Sequence, residues 1–298
     1  MNKYVLNSEF YIVFNNGDCQ ESHLPDRVCY QEGVLSFDNI QPVEVQVIYL
    51  LDKSQSMDLC IKVASRSEVS LIESKLLDSQ ASLHKTMMIA NDAIMHVFSE
   101  NTSQDAKSEE DIYLKENAVC QYGYAELSDE SFDGQYHYYL QGEGADVKVR
   151  MAILSKAKEK KHFEVLIEHL APHTYGQMDN YGVVKDEGKL VIDGIGTITK
   201  GQHGSASHQT NKIMVFDAKC VASANPYLYI DEYDVKASHA AGVGKMDEEH
   251  LYYLQSRGLS KKQAMHLITY GYLKPVIEVV DNEMLKERFE KALSKVGA

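Results

Sequence analysis

From residue 40 to 236 apolar and polar residues alternate, or nearly so, in a succession of short runs. These are VEVQVIYLL (43–51), LCIKVAS (59–65), TMMIA and IMHVF (86–98), IYLKENAVCQYGYAEL (112–127), QYHYYLQ (135–141), ADVKVRMAIL (145–154), HFEVLIEHL (162–170), KLVIDGIGTITKG (189–201), NKIMVF (211–216) and YLYIDEYDVKAS (227–238). A period of two puts alternate side chains on opposite faces, and the Gly, Asn, Asp and Ser residues between the runs supply turns, so each run predicts a strand. No helix-period segment interrupts them. Parallel βαβ units need crossover helices, which leaves a sandwich, a barrel or a solenoid. The runs recur irregularly, roughly every 10 to 15 residues, with no sharp short repeat, so periodicity yields a mainly β class and no finer choice. Residues 100–111, ENTSQDAKSEED, carry five acids against one lysine and predict an exposed loop.

The pattern changes after residue 245. Asp247 ahead of EEHLYYLQSR and Gly258 behind it predict a capped helix with acids in its first turn and Arg257 in its last. Ser260 and Gln263 have capping-box spacing at the head of KKQAMHLITYGY, and Pro275 is placed to open a third helix with Val276, Val280, Met284, Leu285, Phe289 and Leu293 as its apolar stripe. The expected division is a β-domain over 1–245, with 1–40 an irregular lead-in, and a small helical domain over 246–298.

Composition narrows the function classes. Of 30 Lys+Arg and 44 Asp+Glu, 11 and 25 fall before residue 151 and 19 and 19 after it, so the net charge of -14 resides in the first half. Nucleic-acid binding needs clustered Lys and Arg, and runs such as Lys158, Lys160 and Lys161 are too short to provide them. No stretch approaches the ~18 apolar residues of a membrane span, and MNKYVLNSEF has no leader-like pattern, so the expectation is a cytoplasmic protein without membrane partners. Cys19, Cys29, Cys60, Cys120 and Cys220 form no CxxC pair or disulfide framework. The chain has no GxxxxGK[ST], GxSxG, HExxH or GxGxxG string either, which removes the commonest nucleotide, hydrolase and protease signals.

At the junction between the two patterns, DVKASHAAGVGKMDEEHLYYLQSRGLSKKQA (234–264) is a long string of unlike residues. It resembles the carboxy-terminal signature of the SufB/SufD family of iron–sulfur cluster assembly proteins, approximately DVKCSHGATVGxLDEExLFYLRSRGI. Weaker agreement runs through LQGEGADVKVRMAILSKAKEKKHFEVLIEHLAPHTYGQ and YGVVKDEGKLVIDGIGTITKGQ, so that about 115–275 is covered. Residues 1–40 match nothing assignable, and the chain is expected to be a short form that lacks the amino-terminal helical region common in that family or has it reduced to a short β-like lead-in. The resemblance implies a right-handed parallel β-helix with a helical tail, and thereby the solenoid among the three options. It also implies a non-enzymatic scaffold that carries a transient iron–sulfur cluster, with ATPase activity in a partner. Such a scaffold pairs through its β-helix with a SufB-type paralogue or a second copy, and docks a SufC-type ABC ATPase on its tail. The docking candidates are Leu251, Tyr253, Leu254, Arg257, Met265, Leu267 and Ile268.

The resemblance also implies a cluster-related role for His239, whose neutral imidazole is a competent iron ligand. SufB-type members carry a Cys at the position of Asn211 and a Glu at that of Ala240, which makes this chain SufD-like, although Ala237 stands where SufD sequences usually have Cys. Cys220 is the remaining candidate soft ligand. It precedes His239 by about twenty residues, which would stack the two on adjacent rungs if one β-helix turn had that length. His203 and His208, five apart, are expected on opposite faces, His169 and His173 flank Pro172, which leaves their relation undefined, and both pairs are expected to be structural or surface residues. A carbohydrate-binding or carbohydrate-active β-solenoid is the alternative, resting on Tyr136, Tyr138, Tyr139 and Asp133.

Overall fold

The computed structural model describes residues 8–275 together with Glu287 and Glu290, so the expected third helix lies outside the described residues. Two sheets form a parallel β-solenoid of about seven turns. From β5 (Val43–Leu51) and β6 (Ser56–Val63) to β18 (Val221–Ile230) and β19 (Lys236–Lys245), strands alternate between the sheets, odd numbers on one side and even on the other. Each coil therefore contains two strands, and the runs seen in sequence are half-coils. Val43 pairs with Val69, 26 residues on, and Lys189 with Val221, 32 residues on, so coil length drifts upward along the chain.

What does repeat is backbone conformation at the corners. Ser54, Gln80, Asp105, Ala157 and Asp186 have positive φ at the odd-to-even corners, and Arg66, Asp92, Asn117 and His173 at the even-to-odd ones. Corner residues also bond along the stack: Asp92 N donates to Glu116 O, Asn117 N to Glu143 O, and His173 N to His203 O. A left-handed residue turns the chain sharply in little space, and side chains as different as Arg and Asn occupy the same corner, so no residue motif marks it.

The amino-terminal segment is not an irregular lead-in. β1 (Tyr11–Asn15) joins the odd sheet beside β5 and carries antiparallel β2 (Asp18–His23) outside it. β4 (Val34–Phe37) joins the even sheet beside β6 and carries antiparallel β3 (Val28–Gln31). Each sheet thus ends in a hairpin at this end of the solenoid.

The segment 100–111 is not an exposed loop. β9 (Ile94–Asn101) and β10 (Ala106–Leu114) take in most of it, and Glu100, Asn101, Ser103, Ser108 and Glu110 are buried. The acids signalled polarity, but alternate positions of β10 point into the lumen, where cations are waiting. Glu110 is ion-paired to Lys75 of β7 (Glu68–Leu77) and, at 2.8 Å, to Lys85 of β8 (Ser82–Ile89). Lys85 Nζ also donates to both oxygens of Glu73 at 2.6 Å, while Tyr49 and Tyr122 hydroxyls donate to Glu73 and Glu110 at 2.8 and 2.7 Å. Burial alone would raise the Glu110 carboxyl, yet the two ammonium groups hold it well below the usual range. A second group on β11 (Val119–Glu126) centres on Glu126, which accepts from Asn101, Tyr124 and Lys161.

Outside the odd sheet lies a smaller apolar core. Ile72, Phe98, Ala125, Ala152, Leu154 and Val183 meet Leu251 of α1 (Glu248–Ser256) and Ala264 and Leu273 of α2 (Lys261–Leu273). The caps are as expected: Asp247 accepts from Glu249 N at 2.8 Å, Gly258 has φ +97°, and Ser260 and Gln263 complete a capping box. No described helix is long and apolar enough to cross a membrane.

Two measurements follow from the lumen. Glu110→Gln leaves Lys75 and Lys85 short of a carboxylate in a dry interior, and should cost about 3–5 kcal/mol, seen as a lowered urea midpoint. His169, on β14 (Lys160–His169), is buried with Nε2 unpartnered, and burial lowers its pKa to about 4. Between pH 6.5 and about 4 the unfolded chain binds a proton that the folded chain refuses, so stability should fall by on the order of 2–3 kcal/mol across that window. In His169→Asn, urea titrations at both pH values should show this part of the slope removed.

Candidate functional site

The carboxy-terminal end of the solenoid is built unlike the other. β18 and β19 are the last strands of their sheets, and each pairs on one edge only, with β16 (Lys189–Ile198) and β17 (Ala206–Val215). Every residue of β19 is exposed, and Tyr227, Tyr229 and Val243 add apolar surface, with the two tyrosine rings stacked 6.4 Å apart. An uncovered edge presents a row of unpaired backbone donors and acceptors.

His239 stands in this last strand, paired with Gln209, which pairs with Met178 of β15 (Tyr175–Val184). Gln209 and Met178 point into the lumen, so His239 shares their inward side and is exposed because no coil follows. Beneath it the filling turns polar. Gln209 Nε2 donates to Tyr227 O at 2.9 Å and its Oε1 has no partner, and Asn180 Nδ2 donates to Asn211 Oδ1 at 2.9 Å. Asn211 fits because Gly194 faces it: a Cβ there would lie 2.5 Å from Asn211 Nδ2. At the position where SufB-type sequences carry Cys, this chain thus has a buried carboxamide fixed in a hydrogen-bonded layer. Ala240 pairs with Thr210 on the outward side of the same strands, and Ala237 with Ser207 on the inward side.

Cys220 is not brought to His239. A coil takes 25 to 32 residues rather than twenty. Cys220 immediately precedes β18, its Sγ 3.3 Å from Val184 O, whereas Gln209 in the His239 ladder is bonded to Tyr227. Seven residues of extended chain separate positions 220 and 227, roughly 20 Å. Cys120, in the lumen, has its thiol pushed up to about 12 by burial. Among the described residues no group of three or more His, Cys, Asp and Glu side chains is arranged to hold a metal ion, and His239 is exposed on the last strand.

The remaining expected residues fall in different places. His203 lies at a corner with its ring 4.9 Å from that of His173, and His208 points outward to Ser238 Oγ at 2.7 Å. Tyr136 and Tyr138 are fully buried in the lumen, because they occupy inward positions of β12 (Phe132–Leu140), so they cannot line a carbohydrate groove; Tyr139 and Asp133 point outward. Of the tail residues, Leu251 is buried in the small core, and Leu254, Met265 and Ile268 pack against it. Tyr253 and Leu267 are exposed, and Arg257 lies over the Tyr253 ring at 5.2 Å. The sequence reading missed Tyr252, Tyr227, Tyr229 and Gln209. The signal for Gln209 was present in β17, where Ser207, Gln209 and Asn211 recur with period two.

Comparison with known proteins agrees with this geometry. Residues 47–272 match the family model described as "SUF system FeS cluster assembly, SufBD core domain". The chain is 33% identical over 156 residues to the iron-sulfur cluster assembly protein SufD of Bacillus subtilis strain 168, covering 52% of this chain and 36% of that protein. It is 25% identical over 158 residues to SufD of Escherichia coli strain K12, covering 53% and 37%, and 30% identical over 149 residues to SufB of Bacillus subtilis, covering 50% and 32%. The aligned stretch thus spans about a third of the length of these curated relatives. With the family model covering most of the chain, and the solenoid and helical tail in place, this protein belongs to the SufB/SufD family.

Proposed function

We propose that the chain is a non-enzymatic scaffold subunit of a SUF-type iron–sulfur cluster assembly complex. In this reading it pairs through the open end of its solenoid with a SufB-type paralogue or a second copy, and docks a SufC-type ABC ATPase with its carboxy-terminal helices. The observation that carries the reading is the contrast between the ends: one continues into the antiparallel hairpin strands β2 and β3, while the other stops at two long parallel edge strands that expose His239 and apolar side chains. Edge strands associate by adding strands, with backbone bonds giving affinity and side chains giving choice of partner. One imidazole is an incomplete ligand set, so the remaining ligands of a cluster in transit would come from the facing subunit. The polar layer of Gln209, Asn180 and Asn211 lies beneath the strand that carries His239.

On the tail, α1 and α2 use Leu251, Ala264 and Leu273 to grip the odd sheet and leave Tyr252, Tyr253, Arg257 and Leu267 outward. A partner that pulls on these helices pulls directly on the solenoid wall. That would transmit an ATP-driven movement to the open end, in accord with the lack of a nucleotide motif in this chain.

Three measurements test the parts. Placing charge on the rim with Tyr229→Glu and Val243→Glu should convert a pair to single chains in light scattering, alone or mixed with a SufB-type paralogue; a pair that persists puts the interface elsewhere. Tyr253→Ala with Leu267→Ala should weaken co-purification with a SufC homologue by at least about tenfold, and full binding by a chain without 246–298 would remove docking from the tail. Anaerobic reconstitution of the paired protein with iron and sulfide should give visible absorption that weakens in His239→Ala; unchanged iron content and spectrum would exclude His239 as a ligand.

A further inference from the structure

On the outer face of the even sheet, histidines and carboxylates contact one another from coil to coil. His162 of β14 presents Nδ1 to Asp133 Oδ1 of β12 at 3.4 Å and Nε2 to Asp193 Oδ2 of β16 at 2.9 Å. His137 of β12 presents Nδ1 to Asp111 Oδ1 of β10 at 3.5 Å and Nε2 to Glu164 Oε1 of β14 at 2.9 Å. Strands β12 and β14 are thus linked twice, with imidazole and carboxylate exchanged, and Asp111 and Asp193 extend the row to the coils on either side.

An ionised carboxylate only accepts hydrogen bonds, whereas a neutral imidazole has one N–H and one lone pair. A neutral ring at position 162 would therefore answer one aspartate and turn a lone pair toward the other; only the imidazolium answers both. Partial burial pulls the pKa of His162 down, but the hydrogen bond to Asp193 and the charges of Asp133 and Asp193 outweigh it and raise the value above 6.5. The other charges on its flanks are Lys160, two residues before it, with Lys189 opposite on β16, and Glu164, two residues after it. Lys107 of β10 lies on the far side of Asp133.

We propose that His162 is a proton-operated clamp on the solenoid wall, which in its imidazolium form binds Asp133 and Asp193 at once and so ties β12, β14 and β16 together. On losing one proton the ring keeps its N–H on the shorter contact, to Asp193, and turns a lone pair toward Asp133. Asp133 is then released toward Lys107, its direct neighbour across the ladder, which forms no ion pair among the described residues. Because the folded chain holds the proton more tightly than the unfolded one, the stabilisation is complete below pH 6.5 and is lost as pH rises through the folded value. The direction is opposite to that of His169, which weakens the fold in acid.

The test follows the His162 ring in the full chain by NMR, with His162→Gln to assign its signal. The ring should titrate above pH 6.5 and return toward that value in Asp193→Asn and in Asp133→Asn. Urea unfolding at about pH 6 and about pH 8.5 then reads the clamp: His162→Gln should lower the folding constant by about threefold more at the lower pH than at the higher. A purely steric role of the ring would lower it equally at both. The proposal is overturned if His162 titrates at or below 6.5, if Asp193→Asn leaves its titration in place, or if the loss in His162→Gln does not depend on pH.

Discussion

Inside the solenoid the carboxylate of Glu110 is held between two ammonium groups, one from each sheet, in a space from which water is excluded. Removing such charges from water costs about as much as their attraction returns, so the cluster adds little net stability over an apolar filling. Its effect is on register. Shifting a strand by one residue would turn Lys75, Lys85 or Glu110 outward and leave its partners as bare charges in the lumen. Parallel strands stacked coil on coil share the same backbone pattern at every step, and side chains must decide which residue sits over which. The tyrosines around the cluster serve the same end, since their hydroxyls complete Glu73 and Glu110 while their rings occupy the surrounding volume.

That arrangement also shows where sequence patterns were informative. The strands were legible because their period of two survives in every coil, and β5 coincides with the run VEVQVIYLL. The corners were not, since the repeating property is a positive φ adopted in turn by Ser, Gln, Arg, Asp, Asn and His, and coil length changes as insertions accumulate there. The run 112–127 crosses such a corner at Asn117, marked only by the three polar residues Lys115, Glu116 and Asn117. Segment 100–111 misled for the opposite reason. Charge density identifies solvent exposure only where burial means an apolar interior, and this lumen contains countercharges contributed by strands 25 to 35 residues earlier in the chain.

The candidate site was legible in part. His239 was marked by the string around it, and its neighbours Asn211 and Ala240 by comparison with the two family types. What could not be read was the layering. Whether Cys220 approached His239 depended on coil length, which no residue encodes, and the exposed faces of α1 and α2 depended on which side the odd sheet covers. Leu251 and Tyr253 are two residues apart, yet one closes the small core and the other faces outward.

The two hairpins at the amino-terminal end have a further meaning for assembly. A solenoid with two open ends could add units without limit, because each addition would recreate the surface just used. Here β2 and β3 run antiparallel to their neighbours and bring their own outer edges, with charged and polar residues along β2. The two ends therefore differ in strand direction and in the side chains along their edges. In the pairing proposed above, two carboxy-terminal ends would meet through parallel-sheet edges, whereas the other end presents the antiparallel strands β2 and β3, so the two ends offer a partner different backbone patterns.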